Sequence, residues 1–480
     1  MSKTAITPTR QDDFAEWYQQ VIIAADLAEN SPVRGCMVIK PYGYAIWENI
    51  QRLFDAKIKK VGVENAYFPL LIPLEFLSKE AEHIDGFAKE CAVVTHHRLK
   101  KDADGKLIPD GELQSPYIIR PTSEAIIGHV ISKWIHTYRD LPLKLNQWCN
   151  VMRWEMRPRM FLRTSEFLWQ EGHTVFETEQ EARQDALAML QTYYDFMSNE
   201  LALPIIPGEK TEEERFPGAQ STYTLETMTQ DGKALQAGTS HYLGQSFSKA
   251  FDIHFVGRDN AHHTAHTASW GISTRLIGGI IMTHADDDGL ILPPAIAPYH
   301  VVIIPLIHDV ANAGTIHAYC HEIKAKLEQS NLRSVVDKSE TTAPNKIWKW
   351  IKKGVPIRLE IGMKEVAEQT VTLGRRDKPK SDKLSLPLNQ FDQIQTELDL
   401  FETTLRNRAI QMRDDRIKPV GSLNELDALF DSEFRGWALM SIQITNSTEF
   451  EAIAKKHALS RRCIPMEGFP DGSVFVAKSY

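Results

Sequence analysis

The sequence predicts a multidomain protein of mixed α+β and α/β type, on three observations. At 480 residues the chain is too long for one core of ordinary size. The stretch Leu292-Pro293-Pro294-Ala295-Ile296-Ala297-Pro298 has the composition of a rigid linker. Beyond it, strand-like and helix-like runs alternate, as in a small unit whose mixed or parallel sheet lies between helices. The expected divisions are residues 1–297, 298–400 and 401–480.

The elements follow in order. Phe14 to Leu27 and residues 44–60 read as helices, the second with apolar residues at Ile46, Ile50, Leu53/Phe54 and Ile58. Val63 to Pro73 is strand-like but broken by prolines, and Pro69 suits an edge or a break. A charged turn, Lys100 to Lys106, separates two strands. Residues 123–137 read as a helix, 145–155 as a strand and 178–199 as a long helix. Strands flank Asp231-Gly232-Lys233. Residues 270–282, small and glycine-containing, read as a buried helix. After the linker, His300–Leu306, Leu332–Asp337, Pro356–Ile361 and Val371–Gly374 read as strands, with a helix over 311–328. A charged helical run covers about 389–416, before a compact polar end.

Composition excludes several classes. Apolar residues make up 42% and charged residues 25%, ordinary for a globular chain. No run of eighteen apolar residues and no secretory signature appears, so a cytoplasmic protein without a membrane anchor is expected. The five cysteines are scattered, which argues against a disulfide framework. Net charge is -8, so nonspecific coating of nucleic acid is not expected. Residues 338–378 nevertheless hold ten Lys/Arg against five Asp/Glu, a local basic region.

The strongest chemical signal is Arg153-Trp154-Glu155-Met156-Arg157-Pro158-Arg159-Met160-Phe161-Leu162-Arg163, followed by Phe167-Leu168-Trp169-Gln170-Glu171-Gly172-His173. Four arginines between apolar runs call for an anion, and a guanidinium fork fits phosphate oxygens. Arg275, set among Gly271, Ile272, Leu276, Gly278 and Gly279, is costly to bury without one. The bland alternatives are an exposed Arg/Glu network for the first and an internal salt bridge, for example to Asp286, for the second.

Together these stretches resemble a class II prolyl-tRNA synthetase of the archaeal and eukaryotic type. The helix ending in Phe68-Pro69 resembles motif 1. Arg153-Trp154-Glu155 through Gln170-Glu171-Gly172-His173 resembles motif 2. Gly271-Ile272-Ser273-Thr274-Arg275 with Gly278-Gly279 resembles motif 3. Arg120-Pro121-Thr122-Ser123-Glu124 resembles the loop that receives the substrate imino group, and Gly238-Thr239-Ser240-His241 belongs to the same pattern. The resemblance implies a catalytic domain built on an antiparallel sheet, an α/β anticodon-binding domain and a small α/β C-terminal domain. It implies activation of L-proline with ATP and Mg2+, transfer to tRNA(Pro), and a homodimer.

Site roles come with it. Arg153 and Arg275 are the catalytic candidates. Thr122, Glu124, Arg153, Trp169, Glu171, His173, Ser240 and His241 are candidates for proline. Arg153, Glu155, Arg163, Thr164, Phe167, Gln236, Thr239 and Arg275 are candidates for ATP, with Glu171 and Gln236 also placed toward magnesium or adenosine. Arg358, Glu360, Arg375 and Arg376 are candidates for the anticodon. Each has a plainer alternative. Thr122 and Glu124 suit a helix cap, Phe167 and Trp169 a core, His173 and His241 satisfied core histidines, and the anticodon set a solvated charged face.

The chain also departs from the pattern. Gly362-Met363-Lys364-Glu365 stands where relatives carry a proline and an Arg-Asp pair. The C-terminal domain has one thiol, Cys463, where many relatives bind zinc through four cysteines, so this domain is expected without zinc and no resident metal site is assigned to the chain. The short stretch between Arg120 and Arg153 leaves no room for a long editing insert. The rival readings are a synthetase for threonine or serine and a synthetase-like protein that binds RNA without forming an adenylate.

Overall fold

The computed structural model describes residues 5–79 and 90–480. Its centre is an eight-stranded sheet in the order Ile464–Pro465, Ile205–Glu209, Ser221–Met228, Ala234–Gly244, His266–Ser273, Glu166–Phe176, Leu143–Met152, Glu64–Asn65. All neighbours are antiparallel except the last pair. An antiparallel sheet can bury one face and leave the other for a ligand. The buried face carries the helices Pro41–Lys60, Glu179–Asn199 and Arg275–His284. Thr178 and Glu181 form a capping box that starts the second of these.

Two glycines let the layers close. A Cβ on Gly172 would fall 2.2 Å from the Trp270 ring, and one on Gly278 would fall 2.5 Å from Leu162. The helix read over 270–282 starts only at Arg275. Residues up to Ser273 pair as a strand with Glu166–Phe176, so Gly271 lies in the strand and Gly278 and Gly279 in the helix.

The helix Pro41–Lys60 leads to the stretch that resembles motif 1, the element by which the resemblance implies a two-fold interface. Ile46, Ile50, Phe54 and Ile58 are fully buried inside this one chain, and the Phe54 ring stacks on Tyr193 at 4.8 Å. The apolar stripe is used by the chain's own core and is not available to a two-fold partner. Exposed apolar side chains are scattered, and one group of them lies beside this helix. It runs over Tyr67, Trp134 and a separate sheet of Leu71–Pro73, Leu107–Ile119 and Ala92–Lys101.

Past the linker, a five-stranded sheet runs Ser334–Val336, Val301–Pro305, Ile357–Ile361, Thr370–Arg375, Lys383–Pro387. Its first three strands are parallel and the rest antiparallel. The helix Gln393–Asp414 continues unbroken through residue 400, and its Phe401 and Leu405 pack with Ala202 and Ile291 of the first domain. The expected boundary at 400 therefore falls inside one helix. The C-terminal end is not merely a compact polar stretch. It folds on a four-stranded sheet, Ile417–Pro419, Trp437–Ser441, Ser473–Lys478, Leu459–Arg461, and lends Ile464–Pro465 to the edge of the catalytic sheet.

The anticodon candidates are also corrected. Arg358, Arg375 and Arg376 are 1%, 4% and 5% exposed. Arg375 grips Asp377 at 2.9 and 2.7 Å and Glu397 at 2.9 Å. Arg376 pairs with Asp286. Glu360 is buried and takes the Lys383 ammonium at 2.6 Å. Arg375 and Arg376 spend their donors on internal acceptors, and Arg358 is closed off from solvent, so none of the three is presented to a base or phosphate.

Candidate active site

Arg153 stands where the strand Leu143–Met152 leaves the sheet. Its amide donates to the Ser165 carbonyl at 2.8 Å, and its Nε donates to the Pro121 carbonyl at 2.8 Å. The guanidinium lies 5.7 Å from the Phe167 ring centre and 5.5 Å from that of Trp169. Burial lowers its pKa, opposed by the nearby carboxylates of Glu124, Glu171 and Glu90. Arg153 lines two cavities that meet at it, and this junction organises the site.

The first cavity, about 230 Å³, is the amino-acid side and extends to Gln236 and Thr239. Arg120, buried, braces its entrance loop by donating to the Phe68 carbonyl and to Asn150 at 2.7–2.9 Å. Thr122 then hydrogen-bonds Glu124, the first residue of the helix Glu124–Ile131. Ser123 at the helix start donates to Glu171 and does not cap the helix with its side chain. Glu171 takes further bonds from Gln147 at 2.7 Å and from His173 at 3.0 Å. Burial pushes Glu171 up, but His173, Ser123 and Gln147 outweigh it and hold the carboxyl below its ordinary range. Burial likewise pulls His173 down, and the bond and charge of Glu171 with the charge of Glu124 raise it. The two shifts agree on an ion pair. Both Glu171 oxygens are engaged, which removes this residue as a magnesium ligand and makes it the anchor of the pocket wall.

His241 is pushed down to about 3 by burial and then by His173, so it stays neutral. Its Nδ1 sits 3.1 Å from the Thr222 hydroxyl, and the Phe216 ring lies over it at 4.8 Å. Trp169 also lines this cavity and donates to the Cys149 sulfur at 3.2 Å. Strand alternation places Thr239 and His241 at the cavity and turns Ser240 the other way. Ser240 is fully buried and donates to the Ala186 carbonyl at 2.7 Å. Its assignment to proline is thereby corrected to a strand–helix contact.

The second cavity, about 510 Å³, is lined by Arg153, Arg163, Phe167, Thr164, Arg275 and the carboxylates Glu90 and Glu155. Arg163 is exposed at the base of a tight turn paired with Arg159. Phe161 holds that turn at φ 63 with its ring buried. Thr164 donates to the Glu166 carbonyl at 2.7 Å, and Glu155 accepts from the Arg157 amide at 2.8 Å. Arg275 donates only weakly, to the Leu162 carbonyl at 3.2 Å and the Gln236 carbonyl at 3.5 Å. Burial, then Arg163 and Arg153, lower it to about 10. The proposed salt bridge to Asp286 does not form, because Asp286 is taken by Arg376. Three guanidinium groups converging on one cavity demand an anion.

Sequence reasoning missed Gln147, Lys210, Arg215, Phe216, Thr222 and Glu90. The strand residues had a signal, the alternation of Thr222, Thr224 and Glu226; the loop residues had none.

Known proteins resemble the chain on the same lines. The tRNA synthetase class II core domain (G, H, P, S and T) matches residues 108–284, and an anticodon binding domain matches residues 300–394. A proline–tRNA ligase of Akkermansia muciniphila is 54% identical, covering 97% of this chain and 94% of its own. One from Bdellovibrio bacteriovorus is 55% identical, covering 90% and 87%. A crystal structure of prolyl-tRNA synthetase from Cryptosporidium parvum, complexed with halofuginone and AMPPNP, superposes with a TM-score of 0.90 at 35% identity over 99% of both chains.

Proposed function

The chain belongs to the proline–tRNA ligase family and attaches proline to tRNA(Pro), and we propose that it does so through the two cavities that meet at Arg153. That junction is the observation that carries the residue roles. Activation joins a carboxylate to the α-phosphate of ATP, so one cation must face both reactants. Proline enters the cavity of Thr122, Glu124, Trp169, His173 and His241. Its secondary ammonium presents two N–H donors to the Thr122–Glu124 pair, and its carboxylate faces Arg153. The adenosine side runs over Gln236 and Thr239 with Phe167 as the stacking ring. Arg163 and Arg275 hold the outer phosphates. No protein nucleophile is required, because the attacking group is the substrate carboxylate.

Magnesium fits the second cavity on the chemistry of its donors. A hard cation takes oxygen ligands, and Glu90 and Glu155 supply carboxylates beside the three arginines. When bound there, it neutralises phosphate charge.

The archaeal and eukaryotic-like type is supported by the full-length superposition on the Cryptosporidium parvum enzyme. It is supported too by the chain between Gly172 and Gly271, whose principal strands and long helix belong to the catalytic domain. Residues 1–297, the part from 298 into the helix Gln393–Asp414, and the part beyond that helix then serve catalysis, anticodon recognition and bracing of the catalytic sheet, in the cytoplasm. Without Arg358, Arg375 and Arg376, the basic region meets the anticodon through its exposed lysines, such as Lys338, Lys364 and Lys378.

Proline-dependent exchange of pyrophosphate into ATP, run against a panel of amino acids, tests the reading. Exchange with proline well above threonine and serine is expected. Exchange favouring another amino acid, or none at all, overturns it.

A further inference from the structure

Arg462 belongs to the C-terminal domain, yet its guanidinium is buried against the catalytic sheet. Its Nε and Nη2 donate to Glu226 at 3.2 and 2.9 Å. Glu226 lies on the strand Ser221–Met228, is wholly buried, and takes the Lys210 ammonium at 3.0 Å and the Thr224 hydroxyl at 3.1 Å. The same ammonium donates to the Arg462 carbonyl at 2.6 Å. One carboxylate therefore sits between two cations from different domains.

The network leads directly into the amino-acid cavity. Lys210 lines that cavity and begins the segment that carries Arg215 and Phe216 to its rim, where the Phe216 ring covers His241. The C-terminal domain grips this segment at neighbouring points. Ile464 and Pro465 pair with Glu209 and Gly208, and Arg461 reaches Glu213 at 3.3 Å. The close approach depends on Gly208, where a Cβ would fall 2.6 Å from Cys463. Both hydrogen-bond acceptors of Lys210 lie in the sheet–domain junction, and Glu214 at the cavity faces the same ammonium at 4.0 Å. The Lys210 charge is thus occupied away from Glu124, whose carboxylate must receive the cationic nitrogen of proline.

We propose that Arg462 is a positioning residue for amino-acid recognition: through Glu226 and Lys210 it holds the 210–216 segment over the proline cavity. The C-terminal domain thereby takes part in choosing the amino acid. This rests on the assignment of that cavity to proline.

The physical ground is the asymmetry of a buried pair. Removing Arg462 leaves the buried Glu226 carboxylate with one cation in place of two, so Lys210 moves to meet it. With the Arg462 side chain gone, Glu226 draws Lys210 inward alone and the rim segment shifts with it, although the backbone carbonyl of residue 462 still accepts from Lys210.

The test is pyrophosphate exchange on the full chain, with Michaelis constants for proline and ATP measured separately. Arg462→Met is expected to raise the proline constant by about 10-fold, the effect of one lost charge-assisted bond, with the ATP constant within about twofold. Discrimination against alanine should fall in parallel. Combining it with Glu226→Gln leaves the buried Lys210 ammonium without that carboxylate and should raise the proline constant further, with the ATP constant still within about twofold. If Arg462→Met does not fold, Arg462→Lys keeps the charge, loses the fork, and should show the same split at about threefold. A folded variant with no change for proline, or with both constants rising together, overturns the proposal. If the unaltered protein shows no proline-dependent exchange, the cavity assignment fails instead.

Discussion

Arg376 and Asp286 join the first two domains by a two-pronged ion pair, with Nη1 2.9 Å from one carboxylate oxygen and Nη2 on the other. Arg376 Nε also donates to the Ile351 carbonyl at 2.9 Å. Asp286 closes the catalytic domain just after the helix Arg275–His284, so the pair fixes how the second domain leaves the first.

Arg376→Ala is therefore expected to act on stability before it acts on RNA. A carboxylate stranded in the interface costs about 2–3 kcal/mol, below the figure for a fully buried pair because Asp286 keeps part of its solvent. Thermal unfolding measures it, and Asp286→Ala should lose a similar amount. A variant with unchanged stability and a raised Michaelis constant for tRNA would return Arg376 to the RNA surface.

The same residue shows what the sequence makes legible. Arg375-Arg376 within a basic stretch reads as an RNA contact, because charge is visible in a sequence and burial is not. Their partners Glu397 and Asp286 lie 22 and 90 positions away, beyond any local pattern. The stripe Ile46, Ile50, Phe54, Ile58 has the same difficulty: helical spacing identifies the buried face but not which body covers it. Arg153, Arg163 and Arg275 were legible because an arginine among small or apolar residues is expensive without an anion. Ser240 was misplaced by proximity to His241, although period-two alternation already separates the two faces. Arg462 was missed because nothing near Cys463 in sequence indicates Glu226.

Arg153→Ala and Arg275→Ala should each lower the rate of adenylate formation by about 30- to 5000-fold, the equivalent of roughly 2–5 kcal/mol for a charged contact in a water-poor site. Arg275 has only two long carbonyl contacts to lose, so its variant should fold. Single-turnover adenylate formation with circular dichroism checks both halves. A folded variant with near-normal rate removes that arginine from the phosphate site.

His173 predicts a pH dependence. Its folded pKa is raised above the ordinary 6.5, chiefly by Glu171 against the cost of burial. A raised value means that the charged form stabilises the fold fully below the unfolded pKa and that this is lost as pH rises through the folded value. Glu171 is held below 4.5 and stays ionised throughout that window. Proline affinity should therefore weaken as pH rises through the raised His173 value and the pocket wall loses its ion pair. His173→Gln should bind proline less well and lack this limb. An identical limb in the variant would assign it to another group.

The C-terminal domain should hold no zinc. Cys463 is buried against Gly208 with its thiol pushed up to about 12, mainly by burial, far from the thiolate a metal needs. The grouping of Asp427, Asp431 and His457 already takes the Lys456 ammonium at 2.8 and 3.0 Å. Elemental analysis of untagged protein after dialysis against chelator decides it. Stoichiometric zinc would show that a different ligand set folds this domain.

Assembly is the remaining prediction, and it moves from the helix Pro41–Lys60 to the small sheet beside it. Tyr67 is 72% exposed, and Leu71 and Tyr117 on one face of the three-stranded sheet, and Trp134 in the loop that follows the helix Glu124–Ile131, are exposed too. Exposed apolar groups of this kind favour a partner, and a second copy related by a two-fold axis covers them without leaving an edge. The surface is wired to the site. The Arg120 guanidinium lies 5.7 Å from the Tyr67 ring centre and braces the loop that carries Thr122 and Glu124. Leu71→Asp with Trp134→Asp should convert a dimer to a monomer at micromolar concentration, read by light scattering. Proline activation should fall with it by about 10-fold, since a loosened loop misplaces the acceptors of the substrate nitrogen. An unaltered protein that scatters as a monomer, or a monomeric variant with full activity, would separate this surface from the chemistry.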